Sequence, residues 1–167
     1  MKLSRSIALA IGVAVLIPAL AYAATDTQTL TINAVVGARA KIVMSPTTIN
    51  FPDADPDVVP SIPATENAVS IECRIRAAGA GISNLTCLAN GDLVAAGATD
   101  IPISNVTWTA TGTGYLAGTM DNSTAQAVGS FSGSGPHAGT MSFFLANSWA
   151  YEVGNYTQTV DYTLTTP

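Results

Sequence analysis

The feature that most constrains this chain is a series of short segments in which polar and apolar residues alternate. Residues 29–36 (TLTINAVV), 68–76 and 155–165 all follow this pattern. A period of two places alternate side chains on opposite faces of a β-strand. Turn residues separate the segments at intervals of roughly 8–12 residues, which is typical of antiparallel sandwiches and barrels. We therefore predict an all-β fold and prefer a two-layer Greek-key sandwich of antiparallel strands to a closed barrel.

The first 23 residues have the layout of a secretory signal peptide. Lys2 and Arg5 form a short basic start, residues 7–20 are apolar, and small residues flank one larger residue in AYA at 21–23. The apolar run is shorter than the roughly 20 residues that a membrane-spanning helix needs. We expect cleavage after this motif, which leaves 24–167 as one secreted domain without a transmembrane segment, located outside the cell or on its surface.

The charge of the secreted part excludes some classes of partner. Residues 24–167 hold four of the six basic residues and all eleven acidic ones, a net charge of −7. Such a chain is repelled by nucleic acid and by anionic lipid. The basic residues are also few and scattered in the sequence, so no phosphate-binding stripe is expected; they are Arg39, Lys41, Arg74 and Arg76. With so few charges, little opposes association between copies of the chain.

The two cysteines predict a disulfide. Cys73 and Cys87 each belong to an alternating apolar segment, 68–76 for the first and 83–89 for the second, and the small residues at 77–81 between them favour a turn. A hairpin around that turn would place the cysteines opposite one another on the inward face. In an oxidising compartment such a pair forms a disulfide, worth about 3 kcal/mol for a loop of this length. We therefore predict a cross-strand or core disulfide between Cys73 and Cys87, and two free or metal-binding thiols are the disfavoured alternative.

The sequence contains little that points to catalysis. His137 is the only histidine, and it lies in a Gly/Ser-rich segment at 133–139 without a nucleophile-elbow pattern nearby. We interpret it as a solvated turn residue and predict no enzymatic activity, so a secreted hydrolase is the disfavoured hypothesis. No cofactor is expected, with the exception of one candidate cation site.

That candidate is a loop with alternating aspartates, Asp53, Asp55 and Asp57. Oxygen ligands at every second position are how calcium loops begin, but the glycine and the distal glutamate of such loops are missing. The preferred interpretation is an acidic, proline-stiffened connection, and a calcium site is the alternative. Trp149 and Tyr151, near a predicted turn, are candidates for stacking against a sugar, whereas Trp108 is expected in the core.

Both ends of the secreted part resemble a known family. The segments TLTINAVV at 29–36 and INF at 49–51 are similar to the first strands of bacterial secreted fimbrial and spore-coat-U-like subunits. The ending GNYTQTVDYTL at 154–164 resembles the terminal strand of that group. The resemblance implies an immunoglobulin-like sandwich displayed at the cell surface and assembled through a periplasmic chaperone and an outer-membrane usher. It also implies that subunits lend an N-terminal strand to a neighbour.

The residues that would fill a neighbour's groove are the apolar positions of that strand, Leu30, Ile32, Ala34 and Val36. Pairing of the same strand within its own domain would give the same sequence pattern. The favoured hypothesis is a structural subunit of an extracellular fibre, pilus or coat that associates with other copies of itself. The alternative is a monomeric secreted module that binds a carbohydrate or a surface through Trp149 and Tyr151.

Overall fold

The structure is a computed structural model that describes residues 24–167, and the predicted signal peptide lies outside the described residues. The described chain falls into two units, which are considered separately. Residues 24–34 belong to the first unit, and Val35–Pro167 form the second. The second unit contains all the strands of the described chain. Within residues 24–167, no helix has the length and apolar character needed to cross a membrane.

The fold is all-β, as predicted, and consists of two antiparallel sheets. The described residues form nine strands and a single 3-10 turn at Ile103–Asn105. The strands are β1 (Arg39–Ser45), β2 (Ser61–Pro63), β3 (Val69–Arg76), β4 (Ile82–Ala89), β5 (Val106–Thr111), β6 (Gly118–Thr119), β7 (Gln126–Ser132), β8 (Gly135–Ala146) and β9 (Val160–Thr165). The larger sheet has the order β1-β3-β8-β5-β6, with β2 also paired to β8, and the smaller sheet has the order β7-β4-β9.

One apolar core draws inward side chains from both sheets, an arrangement consistent with the predicted sandwich. Along β3 and β4 the burial alternates with the sequence, so that Ile71 and Leu85 are completely buried while their neighbours face outward. Trp108 on β5 is buried as expected, and its indole Nε1 donates a hydrogen bond to the Leu116 carbonyl at 2.8 Å. The period-two pattern therefore identified the inward face of these strands correctly.

The predicted hairpin between residues 68–76 and 83–89 is wrong, although both strands form. β3 pairs with β1 and β8 in one sheet, whereas β4 pairs with β7 and β9 in the other. The connection at 77–81 therefore crosses between sheets. Facing sheets are about 10 Å apart, so Cys73 and Cys87 are not cross-strand neighbours. The structure contains no Cys73–Cys87 disulfide and both thiols are buried; the core disulfide stays a prediction.

Two further local predictions differ from the structure. Residues 49–51, which resemble an early strand of the fimbrial subunits, are not part of a sheet. The segment 133–139, expected as a loop, contributes the first residues of β8, because β3 provides a pairing partner for Gly135 to Gly139. At Pro136 the strand β8 is paired only with β3, since β5 joins it from Thr140 onward. Proline is tolerated in a strand at such an edge position.

Candidate functional site at the open edge of the sheets

Two strand edges without partners lie side by side in the folded domain. Within the described residues β1 is hydrogen-bonded only to β3, and β9 is hydrogen-bonded only to β4. The two strands belong to different sheets and contact each other. Each therefore presents a row of free backbone N–H and C=O groups on the same side of the domain. We call the side formed by β1 and β9 the open edge.

The inward side chains at the open edge are only half-buried. On β1 these are Ile42 and Met44, and on β9 they are Val160, Tyr162 and Leu164. Their cross-strand partners on the interior strands are buried almost completely.

Ile42 pairs with Cys73 and Met44 with Ile71, and both partners are 0% exposed. Leu164 pairs with Leu85, which is also 0% exposed. The apolar layer of the core therefore continues to the open edge and is left uncovered there.

The opposite side of the domain is closed by hydrogen bonds. The Leu116 N–H donates to the Val128 carbonyl on β7 at 2.8 Å, and the Ser130 N–H donates to the Gly114 carbonyl at 2.8 Å. Tyr115 is buried at this side, and its ring packs edge-on against Phe131 with centroids 4.9 Å apart. These contacts join the segment before β6 to the smaller sheet.

The predicted strand at 29–36 forms no strand in the structure. Residues 24–38 belong to no sheet, and every residue from 24 to 41 is exposed. Leu30 and Ile32 are each 83% exposed and Val36 is 70% exposed, and Ala34 is exposed as well. The pairing of this segment within its own chain, left open by the sequence, is not seen. The alternating apolar residues of this segment are thus exposed among the described residues.

The groups that flank the open edge are held in neutral forms by burial. Burial raises the pKa of the Cys87 thiol to about 11, and it also raises the pKa of Cys73. Burial raises the pKa of the Tyr162 hydroxyl on β9 in the same way. A low-pKa thiolate is what a cysteine nucleophile requires, so these shifts are opposite to those of a reactive site. The open edge is suited to packing and backbone pairing.

His137 is not the solvated turn residue that the sequence suggested. It lies on β8, where its ring stacks on Phe131 with centroids 4.8 Å apart. Its Nε2 atom is buried and has no hydrogen-bond partner among the described residues. The Tyr115 hydroxyl donates to the backbone carbonyl of His137 at 2.7 Å. The histidine is therefore a packing residue, and only the pairing of β8 with β3 could have revealed this.

The aspartate loop and the two candidate aromatic residues meet in a second place. The Trp149 Nε1 donates to Asp57 Oδ1 at 3.1 Å, and Trp149 is 70% exposed. Asp53, Asp55 and Tyr151 line the same cleft of about 840 Å³ with Trp149. Asn147, directly after β8, ties this loop to the sheet through bonds to the carbonyls of Ala54 and Val59, both at 3.0 Å.

This cleft does not hold a metal-binding arrangement within the part of the chain that the structure describes. No group of three or more histidine, cysteine, aspartate or glutamate residues is positioned to bind an ion there. The Asp55 carboxylate instead accepts a hydrogen bond from the Asp57 backbone N–H at 2.9 Å, which stabilises the turn. The calcium alternative for Asp53, Asp55 and Asp57 stays a prediction, and the observed role of Asp55 is local to its loop.

The basic residues are not scattered in the fold. β1 and β3 place Arg39 directly opposite Arg76, and Lys41 directly opposite Arg74. All four side chains are exposed. Because directly opposed residues share a face of a sheet, they form one basic patch on the outer surface. The sequence separates these residues by more than thirty positions, and only the strand register brings them together.

Comparison of the chain with protein-family models, with curated proteins and with solved structures found no match in any of the three.

Proposed function

We propose that this chain is a non-catalytic structural subunit of an extracellular fibre, pilus or surface coat, assembled by β-strand addition through residues 29–36. In this proposal the chain is secreted, and the two-sheet domain is an immunoglobulin-like Greek-key sandwich. Support for the topology comes from successive long strands that alternate between the sheets, from β3 to β4, then β5, β7, β8 and β9. The observation that carries the function is the coexistence of an uncovered open edge and an unpaired apolar segment.

The segment has the chemical character that the open edge requires. Residues 27–36 contain no charged side chain and alternate apolar positions at Leu30, Ile32, Ala34 and Val36. On a strand these four side chains share one face, which would lie on the uncovered inward layer of β1 and β9. The other face carries Thr29, Thr31 and Asn33, which suit a solvent-exposed sheet surface, together with Val35. A strand contributed by one copy thus supplies what the edge of another copy lacks.

The segment also has the right length. Eight extended residues span about 26 Å. β1 has 7 residues and β9 has 6, so each offers an edge of about 20 Å. An added strand of this length could pair along the full free edge of either one. Its backbone groups would complete the ladder that now ends at β1 and β9, as in other strand-addition complexes.

An open edge of this kind also implies helper proteins during export. Unpaired, apolar strand edges promote edge-to-edge aggregation, and natural proteins usually cover or charge them. The inward positions at the open edge are apolar, so a subunit exported alone would need temporary cover. We therefore propose a periplasmic chaperone and an outer-membrane usher as partners, in line with the resemblance of the chain ends to fimbrial subunits.

The test compares two double variants of the secreted chain by negative-stain microscopy and by size-exclusion chromatography. Leu30→Ser with Ile32→Ser removes apolar side chains from the proposed inserted face, and we expect it to abolish fibres. Thr29→Ser with Thr31→Ser alters the opposite face of the same strand and serves as the matched control, which should still assemble. Fibres that form equally well from both variants would contradict strand addition. An unaltered chain that remains monomeric at all concentrations would contradict a fibre subunit altogether.

One observation favours a second function. Trp149 is 70% exposed beside a cleft that also holds Tyr151 and two of the three loop aspartates. Large exposed aromatic rings next to hydrogen-bonding groups are a common means of binding sugars. A monomeric carbohydrate-binding module would show quenching of tryptophan fluorescence by saccharides, and Trp149→Ala would abolish that quenching. In this variant the remaining tryptophan, Trp108, is buried. Quenching that persists would therefore show that saccharide binding at the cleft is not its cause.

A further inference from the structure

The charged residues of the domain are separated along the strand direction. β8 extends over 12 residues from Gly135 to Ala146. Its first residues pair with the basic part of β3, where Pro136 lies opposite Arg74. Beyond its last residue, Asn147 holds the aspartate loop. At about 3.4 Å per residue, the two ends of β8 are on the order of 35 Å apart.

We define the two ends by their residues. The basic end comprises Arg39, Lys41, Arg74 and Arg76, which are all the basic residues of the described chain. The acidic end comprises Asp53, Asp55, Asp57 and Glu152, all exposed in or next to the cleft at the far end of β8. No lysine or arginine lies at the acidic end. These two groups of opposite charge thus form a dipole along the strands, with Glu72 as the carboxylate that lies within the basic end.

The basic end is under-neutralised within its own chain. Two pairs of like charges lie directly opposite each other across β1 and β3, an arrangement that destabilises the pairing of these strands. Among the described residues the single ion pair is Arg74 with Glu72, at 3.0 Å. Arg39, Lys41 and Arg76 have no carboxylate within salt-bridge distance in the described chain. An anionic partner would therefore relieve repulsion in addition to forming new contacts.

We infer that the basic end of one copy docks on the acidic end of another copy, in a head-to-tail contact that is separate from strand addition. The chain itself offers a carboxylate-rich partner surface, because Asp53, Asp55, Asp57 and Glu152 are exposed at the acidic end and no basic residue of the described chain neutralises them there. Because the two ends are different surfaces, the contact is heterologous. Repetition of such a contact gives an open filament when the rotation between copies does not close a ring. This inference rests on the proposed function in that such a contact extends a fibre.

The test isolates this contact from strand addition. All chains carry Leu30→Ser and Ile32→Ser, so that the N-terminal segment cannot be inserted. Self-association is measured by sedimentation equilibrium at about 10 mM salt and at 1 M salt, where the Debye lengths are about 30 Å and 3 Å. We expect association at low salt and its loss at high salt. Absence of association at low salt, or association that is insensitive to salt, would overturn the inference.

Charge reversal then locates the contact. We expect Arg39→Glu with Arg76→Glu at the basic end, and Asp53→Lys with Asp55→Lys at the acidic end, each to weaken self-association at least about tenfold. Mixing the two reversed chains should restore association, because each then carries the complement of the other. Failure of the mixture to recover, with melting curves showing both variants folded, would refute the head-to-tail contact.

A matched control separates a local effect from a change in net charge. The test variant is Arg39→Gln with Arg76→Gln. The control variant is Thr107→Glu with Thr109→Glu on the outer face of β5, which lowers the net charge by the same amount. Only the former pair should weaken association. Loss of fibres in the strand-blocked chain with retention of salt-sensitive association would support both proposals. If fibres persist when the strand is blocked but the association behaves as expected, only the strand-addition proposal fails.

Discussion

A peptide that copies residues 27–37 should bind the domain and raise its melting temperature. The recipient is the chain with Leu30→Ser and Ile32→Ser, whose own segment no longer competes. The peptide would bury Leu30, Ile32 and Val36, which are now 70–83% exposed. Burial of three such side chains is worth roughly 5–9 kcal/mol before the cost of association, and a new backbone ladder adds about 0.5–1.5 kcal/mol per hydrogen bond.

The cost of association offsets part of this gain. Loss of translational and rotational freedom, together with the ordering of an extended peptide, costs several kcal/mol. We expect a net binding free energy of about −7 kcal/mol, which corresponds to a dissociation constant near 10 µM. At a peptide concentration of about 1 mM the domain would gain roughly 2.7 kcal/mol of stability. For a domain of this size the melting temperature should rise by roughly 8–10 °C.

Differential scanning fluorimetry over a range of peptide concentrations would measure this shift. The control peptide carries serine in place of Leu30 and Ile32 and should produce no shift. On the recipient, Leu164→Asp at the inward position of β9 should reduce the response, whereas Thr163→Asp at the adjacent outward position should not. An equal shift with both peptides, or an equal response in both recipients, would show that the open edge is not the binding surface.

Two further predictions concern the core. His137→Phe removes a buried ring nitrogen that has no hydrogen-bond partner but keeps a ring stacked on Phe131. The free energy of unfolding, measured in urea, should therefore be unchanged or higher by up to about 1 kcal/mol, whereas His137→Ala should lower it clearly. Equal losses of stability in both variants would contradict this prediction. Folding raises the pKa of Cys87 to about 11 and also raises that of Cys73. The contribution of the buried neutral thiols to the free energy of unfolding is therefore fully present below the unfolded thiol pKa of about 8.5 and is lost as pH rises towards 11. The loss is at most about 1.4 kcal/mol per pH unit for each thiol. Urea unfolding under reducing conditions at pH 8 and pH 10.5 should show a smaller loss of unfolding free energy in Cys87→Ala than in the unaltered chain. A thiol reagent should react with both cysteines only after unfolding. An equal loss in the variant, or the absence of reactive thiols after unfolding, would contradict the prediction.

The strands β3 and β4 were predictable because their signal is local. The alternation at 68–76 and 83–89 produced β3 and β4 to within one residue at either end. Each inward position in these strands is set by a period of two, which the sequence displays without reference to any partner. The same local signal placed Trp108 in the core correctly.

The pairing of strands was not predictable because it depends on distant residues. The small residues at 77–81 suit a tight hairpin as well as a connection between sheets, and the choice is decided by what pairs with β3. That partner is β8, about sixty residues later in the chain. The same long-range register turns the Gly/Ser-rich segment before Thr140 into strand and carries His137 into a packed position.

The candidate site was predictable on one side only. The apolar alternation of Leu30 and Ile32 indicates that residues 29–36 can form a strand. It does not indicate whether the sheet that this strand joins belongs to the same chain. The half-buried state of Ile42 and Leu164 follows from the edge positions of β1 and β9, which are properties of the topology. The basic patch likewise exists only through the register that sets Arg39 opposite Arg76.

The strands of the open edge run in the same direction as the charge dipole, and the N-terminal segment is covalently joined to β1 at the basic end. The two proposals are therefore geometrically compatible. β1 begins at Arg39, so the chain that precedes it joins the sheet at the basic end. A copy that receives residues 29–36 must therefore approach from that end. The surface that best complements the basic end is the acidic end, which lies beyond the far end of β8 in every copy. Strand addition would provide the durable joint through apolar burial and backbone pairing, while the charged contact would orient the incoming copy before insertion, since charge complementarity acts mainly on encounter and register.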